Sequence, residues 1–356
     1  MGKQRTALTL LLILCFAIST LPLVRAAEDY WTTLEPLPKT VGGLRAAVVN
    51  GKIYAIGNEV NYEYDPDTDI WTSNKAMPTA RQYFGIAVHQ NKIYTIGGGW
   101  WDPDEGRVPS NVNEVYDPLT DTWETMESMP TARSDLSANV VNGKIYLIGG
   151  RTGSQYSTVA LNEVYDPATN SWVTKEPMPY PVVGYASAAV DGKIYVIGGQ
   201  DEFHDPINLD LTQIYNPETN TWSLGASLPT VVLNGAAGAT TGAKAPKRIY
   251  VIGGTLGGSG VGTNITQVYD PENDVWTFGT NMPTARGWLA VAVVDDKLYA
   301  IGGSPALMVS FLRENEQYTP IGYIPEFPSW IILPLLLIAT LLIIICKQKL
   351  PKAPNN

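Results

Sequence analysis

The chain has 356 residues, among them 33 Gly, 26 Pro, 19 Tyr and 10 Trp, with 16% charged residues and a formal net charge of −10. An acidic chain lacks the basic surface that displaces counterions from phosphates, which excludes non-specific nucleic-acid binding. A content of 45% hydrophobic residues excludes disorder as the main state, and Cys15 and Cys346, far apart in apolar end segments, exclude a disulfide scaffold.

Residues 1–26 read as a secretory signal peptide: Lys3 and Arg5 precede a mostly apolar run from Ala7 to Leu23, and Val24 and Ala26 supply small residues before the expected cleavage point. Near the other end, Trp330 to Cys346 is a 17-residue run without a charge, followed by Lys347, Lys349 and Lys352. That length is the lower limit for a helix crossing ~30 Å of hydrocarbon, so 330–346 is expected to be a transmembrane helix and 347–356 a basic tail. The positive-inside rule keeps the lysines cytoplasmic and puts residues 27–329 outside the cell, a single-pass arrangement. This outer part carries all 34 acidic residues and 18 of the 24 basic ones, a formal charge of −16.

Internal repetition organises residues 27–320. A basic residue, an aliphatic, a tyrosine, two apolar positions and glycine recur as KIYAIGN at Lys52, KIYTIGG at Lys92, KIYLIGG at Lys144, KIYVIGG at Lys193, RIYVIGG at Arg248 and KLYAIGG at Lys297. The glycine pairs are Gly97-Gly98, Gly149-Gly150, Gly198-Gly199, Gly253-Gly254 and Gly302-Gly303. A second signature, such as YDPDTDIW from Tyr64, ends each time on a tryptophan: Trp71, Trp123, Trp172, Trp222 and Trp276. Leu-Pro or Met-Pro follows, then a strand of small residues that meets the next lysine through a turn such as Asn142-Gly143. Alternation and turn chemistry give four short antiparallel strands per unit, with the glycine pair closing the second.

These motifs resemble the kelch-repeat β-propellers over roughly residues 29–320, which implies an all-β fold of radially arranged four-stranded blades. Six KIYxIGG strands face only five Tyr-to-Trp signatures; the spare halves are Trp31 with Leu37-Pro38 at the start and Asn315-Glu316-Gln317-Tyr318 at the finish. The expectation is therefore six blades, with the Trp31 strand outermost in the last, which removes an unpaired edge.

In such a ring the loops from second to third strand, and from fourth strand to the next blade, share one face. Three of the latter read MPTAR, and the resemblance makes Arg81, Arg133 and Arg286 candidates for binding an anionic group; the other reading is that they hold neighbouring loops through backbone carbonyls. Trp100 and Trp101, with Asp102, Asp104 and Glu105, are candidates for stacking on a sugar face or gripping an aliphatic ligand, or else pack over a blade edge. Asp201, Glu202, His204 and Asp205 cluster in the next blade but one and read as a solvated loop rather than a calcium site. Asp65, Asp67 and Asp69 imitate a calcium loop without its Gly and Glu, and read as turn formers.

No catalytic set, cofactor or metal site is expected. The outer part has no cysteine and only His89 and His204, so the Cys-crosslinked tyrosine and histidines of kelch-type radical-copper oxidases are missing. Asn264-Ile265-Thr266 is a candidate glycosylation sequon. Within the Pro-containing linker 321–329, Ile324-Pro325-Glu326-Phe327-Pro328-Ser329 resembles the PEF-type tails of archaeal surface proteins. The expected function is binding an extracellular protein or glycan at the cell surface. The rivals are a sugar epimerase or lyase using Asp201 or Glu202, and a structural surface-layer component.

Overall fold

The computed structural model describes residues 29–104, 106–153, 157–201, 207–257, 260–307 and 310–325. The segments read as signal peptide, membrane helix and basic tail lie outside the described residues, as do Glu105, Glu202, His204, Asp205 and residues 326–329 of the linker. Among the described residues no helix is long and apolar enough to cross a membrane.

Six four-stranded antiparallel sheets follow the repeat. Blade 1 runs Arg45–Val49, Lys52–Gly57, Val60–Asp65 and Ile70–Ser73, from the innermost strand outwards. Blades 2 to 5 begin at Gly85, Ser137, Ala186 and Ala236. Blade 6 takes Ala290–Val294, Lys297–Ile301 and Asn315–Thr319 from the end of the propeller, and its outermost strand, Tyr30–Leu34, from the start. Trp31 lies opposite Tyr318 in that pairing, as Trp71 lies opposite Tyr64 in blade 1. The innermost strands pack side by side, and Ala290–Val294 returns to Arg45–Val49, so the ring is closed.

No blade has a core of its own. Each apolar cluster straddles two neighbours: Ile53, Tyr64 and Leu37 pack with Tyr299 and Ile301 between blades 1 and 6, and Ile56 and Tyr54 pack with Phe84 and Tyr116 between blades 1 and 2. Fully burying each such side chain is worth roughly 1.5–3 kcal/mol, a gain that needs the neighbouring blade.

The Tyr–Asp/Asn–Trp signature also ties blades together. In blade 1 the Asp69 carboxylate accepts the Tyr64 hydroxyl at 2.6 Å and the Glu35 amide at 2.9 Å, while Trp71 Nε1 donates to the Glu35 carbonyl at 2.8 Å. Glu35 follows the outermost strand of blade 6, so one turn clamps the previous blade. Asp121 with Trp123 grips Lys75 in the same way, and Asn170 with Trp172 grips Glu127. At the closure Asp29 and Trp31 hold Thr280. Asp65, Asp67 and Asp69 are thus turn residues, with Asp69 at φ 57° and Asp65 accepting the Asp67 amide.

The glycine pair closing the second strand needs the left-handed region: Gly97 and Gly98 have φ of 68° and 89°, and a Cβ on Gly98 would lie 2.6 Å from the Gln82 carbonyl oxygen. Blade 1 ends the same strand with Gly57 and a tight Asn58-Glu59 turn, Asn58 taking φ 45°.

Candidate functional site

The strands are shortest in side-chain bulk where they meet at the axis. The first residue of the innermost strand is Gly85, Ser137, Ala186, Ala236 and Ala290 in five blades, and Arg45 in blade 1. With small residues at these positions, the axis keeps a cavity of about 220 Å3 whose lining draws on all six blades and includes Arg45. The guanidinium makes a single hydrogen bond among the described residues, a 3.3 Å contact to the carbonyl of Leu44. Burial pushes its pKa down, while the charge of Asp135 works in the other direction. A half-buried cation with most of its N–H donors unused is a site for an acceptor from outside.

The rim of this mouth stores backbone strain. Just before each innermost strand one residue stands in the left-handed region: Gly43, Tyr83, Asp135, Gly184, Asn234 and Trp288, with φ between 53° and 64°. For bulky Tyr83 and Trp288 this costs roughly 1–2 kcal/mol each. Neighbours hold the conformation: the Asp135 amide donates to the Tyr83 carbonyl at 2.9 Å, and the Trp288 amide to the Asn234 carbonyl at 2.7 Å.

Trp100 and Trp101 lie on a hairpin, Gly99–Asp102 paired with Gly106–Pro109. Successive strand residues face opposite sides, and the two are 44% and 69% exposed, so each side of the ribbon presents a tryptophan to solvent. Near its turn, Arg107, opposite Trp101, sits 4.2 Å over the Tyr83 ring and 2.6 Å from the Asp135 carboxylate, coupling the hairpin to the rim. Asp201 belongs to the short strand pair Gln200–Asp201 and Ile207–Asn208 of blade 4. Asn264 is half-buried at the entry to the strand Thr266–Asp270, whose Thr266 is fully buried. His89 ends its innermost strand opposite Lys92, at the turn end remote from the mouth. Among the described residues no group of three His, Cys, Asp or Glu is placed to hold a metal ion.

The three MPTAR arginines require a correction. Arg81, Arg133 and Arg286 are 0% exposed and lie within the wall, not in the mouth. Arg81 pairs with Glu114, and donates to the carbonyls of Gly97 and Thr79 at 2.8 Å and Thr95 at 2.7 Å. Arg133 is 2.8 Å from Glu163 and Arg286 is paired with Glu316. Thr79, Thr131 and Thr284 hydroxyls donate to the same glutamates at 2.7 Å. These guanidiniums fasten the entering loop to the blade, and no face is left for an anionic ligand.

Their signal was present in the repeat. Blades 2, 3 and 6 carry MPTAR and a glutamate at Glu114, Glu163 and Glu316; blades 4 and 5 carry Val182 and Val232 with Gln213 and Gln267. There the amides bond the loop backbone instead: Gln213 accepts the Tyr180 amide at 3.0 Å and donates to its carbonyl at 2.9 Å. Arginine and glutamate change together because each is buried only with the other. Arg45 was missed for the opposite reason, since it belongs to no motif and shows only against the small residues at its position.

Residues 43–223, and again 98–303, match the profile of the KLHDC2/KLHL20/DRC7 Kelch-repeats domain. The chain is a member of this kelch-repeat family. Kelch relatives include the human Kelch repeat and BTB domain-containing protein 12, 30% identical in a match 151 residues long that covers 36% of this chain and 24% of the relative. Kelch-like protein 40 of Xenopus tropicalis is 34% identical over 128 residues, 34% of this chain and 20% of that protein. The kelch chain thus spans a quarter or less of the length of these relatives. The solved structure of YjhT superposes with a TM-score of 0.69 over 79% of this chain and 95% of that one; at 18% identity the likeness is one of fold alone.

Proposed function

We propose that this kelch propeller is a recognition module that binds an extracellular protein partner at its mouth face, receiving a carboxylate of the partner on Arg45. The observation that carries the reading is the Arg45 guanidinium in an axial cavity with one weak hydrogen bond. A carboxylate matches its planar fork, and the exposed Trp100 and Trp101 add apolar contact area beside it. Strain concentrated at Tyr83 and Trp288 supports the same place, because strained residues persist where neighbours hold a binding geometry. The display outside the cell rests on the sequence pattern alone: residues 1–26 for export and 330–346 as anchor.

The test is to probe arrays of acidic peptides and of glycans with the full chain, its Arg45→Ala variant and a Trp100→Ala, Trp101→Ala variant. Peptide binding that depends on Arg45 supports the reading. Binding confined to glycans transfers the site to a carbohydrate ligand, the use to which exposed tryptophans are also suited. Hits that survive Arg45→Ala refute the site.

A further inference from the structure

The face opposite the mouth carries a second departure from the repeat. Blade 1 joins its first two strands by Asn50-Gly51 and blade 3 by Asn142-Gly143, whereas blade 5 inserts residues 240–248. The insertion is held in one conformation by Asp296, 2% exposed, whose carboxylate accepts the Thr241 amide at 2.6 Å, the Lys244 amide at 2.7 Å and the Ala245 amide at 3.0 Å. Between this loop and blade 4 lies a cavity of about 610 Å3, lined in part by Lys193, Tyr195, Lys247 and Arg248.

Lys193 is exceptional among the basic residues that open the second strands. Lys52, Lys92, Lys144 and Arg248 each pair with the aspartate of their own blade's turn: Asp65, Asp117, Asp166 and Asp270. Lys297 lies 5.2 Å over the Tyr323 ring. Blade 4 has Asn216 in place of the aspartate. Asn216 Oδ1 keeps the turn by accepting the Glu218 amide at 3.0 Å, but the oxygen that would take the lysine is replaced by an amide nitrogen. Lys193 therefore makes no ion pair among the described residues, and Tyr195 stands two residues on, on the same face of the strand. Of the other charges around the cavity, Lys247 is paired with Asp191 at 2.6 Å and Arg248 with Asp270 at 2.8 Å, leaving Glu272 as the carboxylate on its rim.

We propose that this cavity is a second binding site, separate from the mouth, that takes a compact oxyanion on the Lys193 ammonium, with Tyr195 and Lys247 beside it. The bound group is a carboxylate or a phosphate in the place where the other blades supply their own aspartate. The test titrates the full chain at constant ionic strength with inorganic phosphate and with acetate, in an Arg45→Ala background that removes the mouth's guanidinium. Saturable binding of either anion is expected, phosphate alone pointing to phosphate esters and acetate alone to carboxylates. Asn216→Asp, which restores the internal partner found in four other blades, should weaken binding about fivefold, the scale of a partly exposed ion pair. Lys193→Ala should abolish it. Asp65→Asn, which frees Lys52 where there is no inserted loop, should change nothing. Absence of saturable binding by both anions overturns the proposal, as does an affinity that Asn216→Asp leaves intact or that Asp65→Asn raises by the same factor.

Discussion

Replacing Arg133 by valine removes the cation facing Glu163, whose side chain is 4% exposed and also receives the Thr131 hydroxyl. A buried charge without its partner costs about 3–5 kcal/mol. For a folded unit of about 300 residues, ~2.1 cal/mol/K per residue of unfolding entropy turns that into a fall of about 5–8 °C in the melting temperature. Glu163→Gln should cost a similar amount by stranding Arg133. The double substitution installs the pair that blade 4 already uses, Val182 with Gln213, where the amide bonds both the N–H and C=O of Tyr180. Its cost should fall to about 1–2 kcal/mol, a large favourable coupling in a double-mutant cycle followed by thermal melting. A double variant that melts as low as the sum of the two singles would refute the claim that these are alternative solutions to one burial problem.

The closure can be tested at Trp31, whose ring lies 5.0 Å from Tyr318 and whose Nε1 donates to Thr280: Trp31→Ala should lower the melting temperature as much as Trp172→Ala in blade 3, and a wild-type melt would show that the first strand does not hold the ring. Gly98→Ala should cost about 3 kcal/mol or more, from left-handed backbone and a Cβ 2.6 Å from a carbonyl oxygen, which thermal melts or loss of soluble protein would report. Alkaline stability should fall between pH 10 and 12. Burial, foremost, raises Tyr165 and Tyr215 to about 12, so the folded state keeps protons that the unfolded chain releases near pH 10. The stability each contributes is present below pH 10 and lost as the pH rises towards 12, and urea midpoints across that range should drop less in Tyr165→Phe.

The fold was legible because its determinants recur. Six copies of one strand give the blade number, and the mismatch between six KIYxIGG strands and five Tyr-to-Trp signatures puts the Trp31 strand outermost in the last blade, where Trp31 lies opposite Tyr318. The site was not legible by the same method. Repetition drew attention to Arg81, Arg133 and Arg286, yet a residue that returns in the same setting is under the same packing demand each time. What decides whether a guanidinium is exposed is its partner, and Glu114 lies 33 residues from Arg81, in a different motif. Reading the two motifs jointly, blade against blade, exposes the pairing that neither shows alone.

A propeller therefore divides its residues by whether they obey the period. Those that do, such as Asp69 and Trp71, are needed at every blade junction and have little freedom to serve a ligand. Departures are free of that demand: Arg45 among five small residues, Asn216 among aspartates, and the hairpin of Trp100 and Trp101 where blade 1 has a two-residue turn. Each breaks the period without breaking the blade, since Arg45 still pairs with Ile56 in register and Asn216 still caps its turn. The backbone tolerates these side chains because it is the neighbouring blades, not the side chains at the axis or the turn, that bury the core. Side chains can change there without a cost in closure, and it is at these positions, not at the repeated MPTAR loops, that substitutions should alter the proposed recognition while leaving the melting temperature in place.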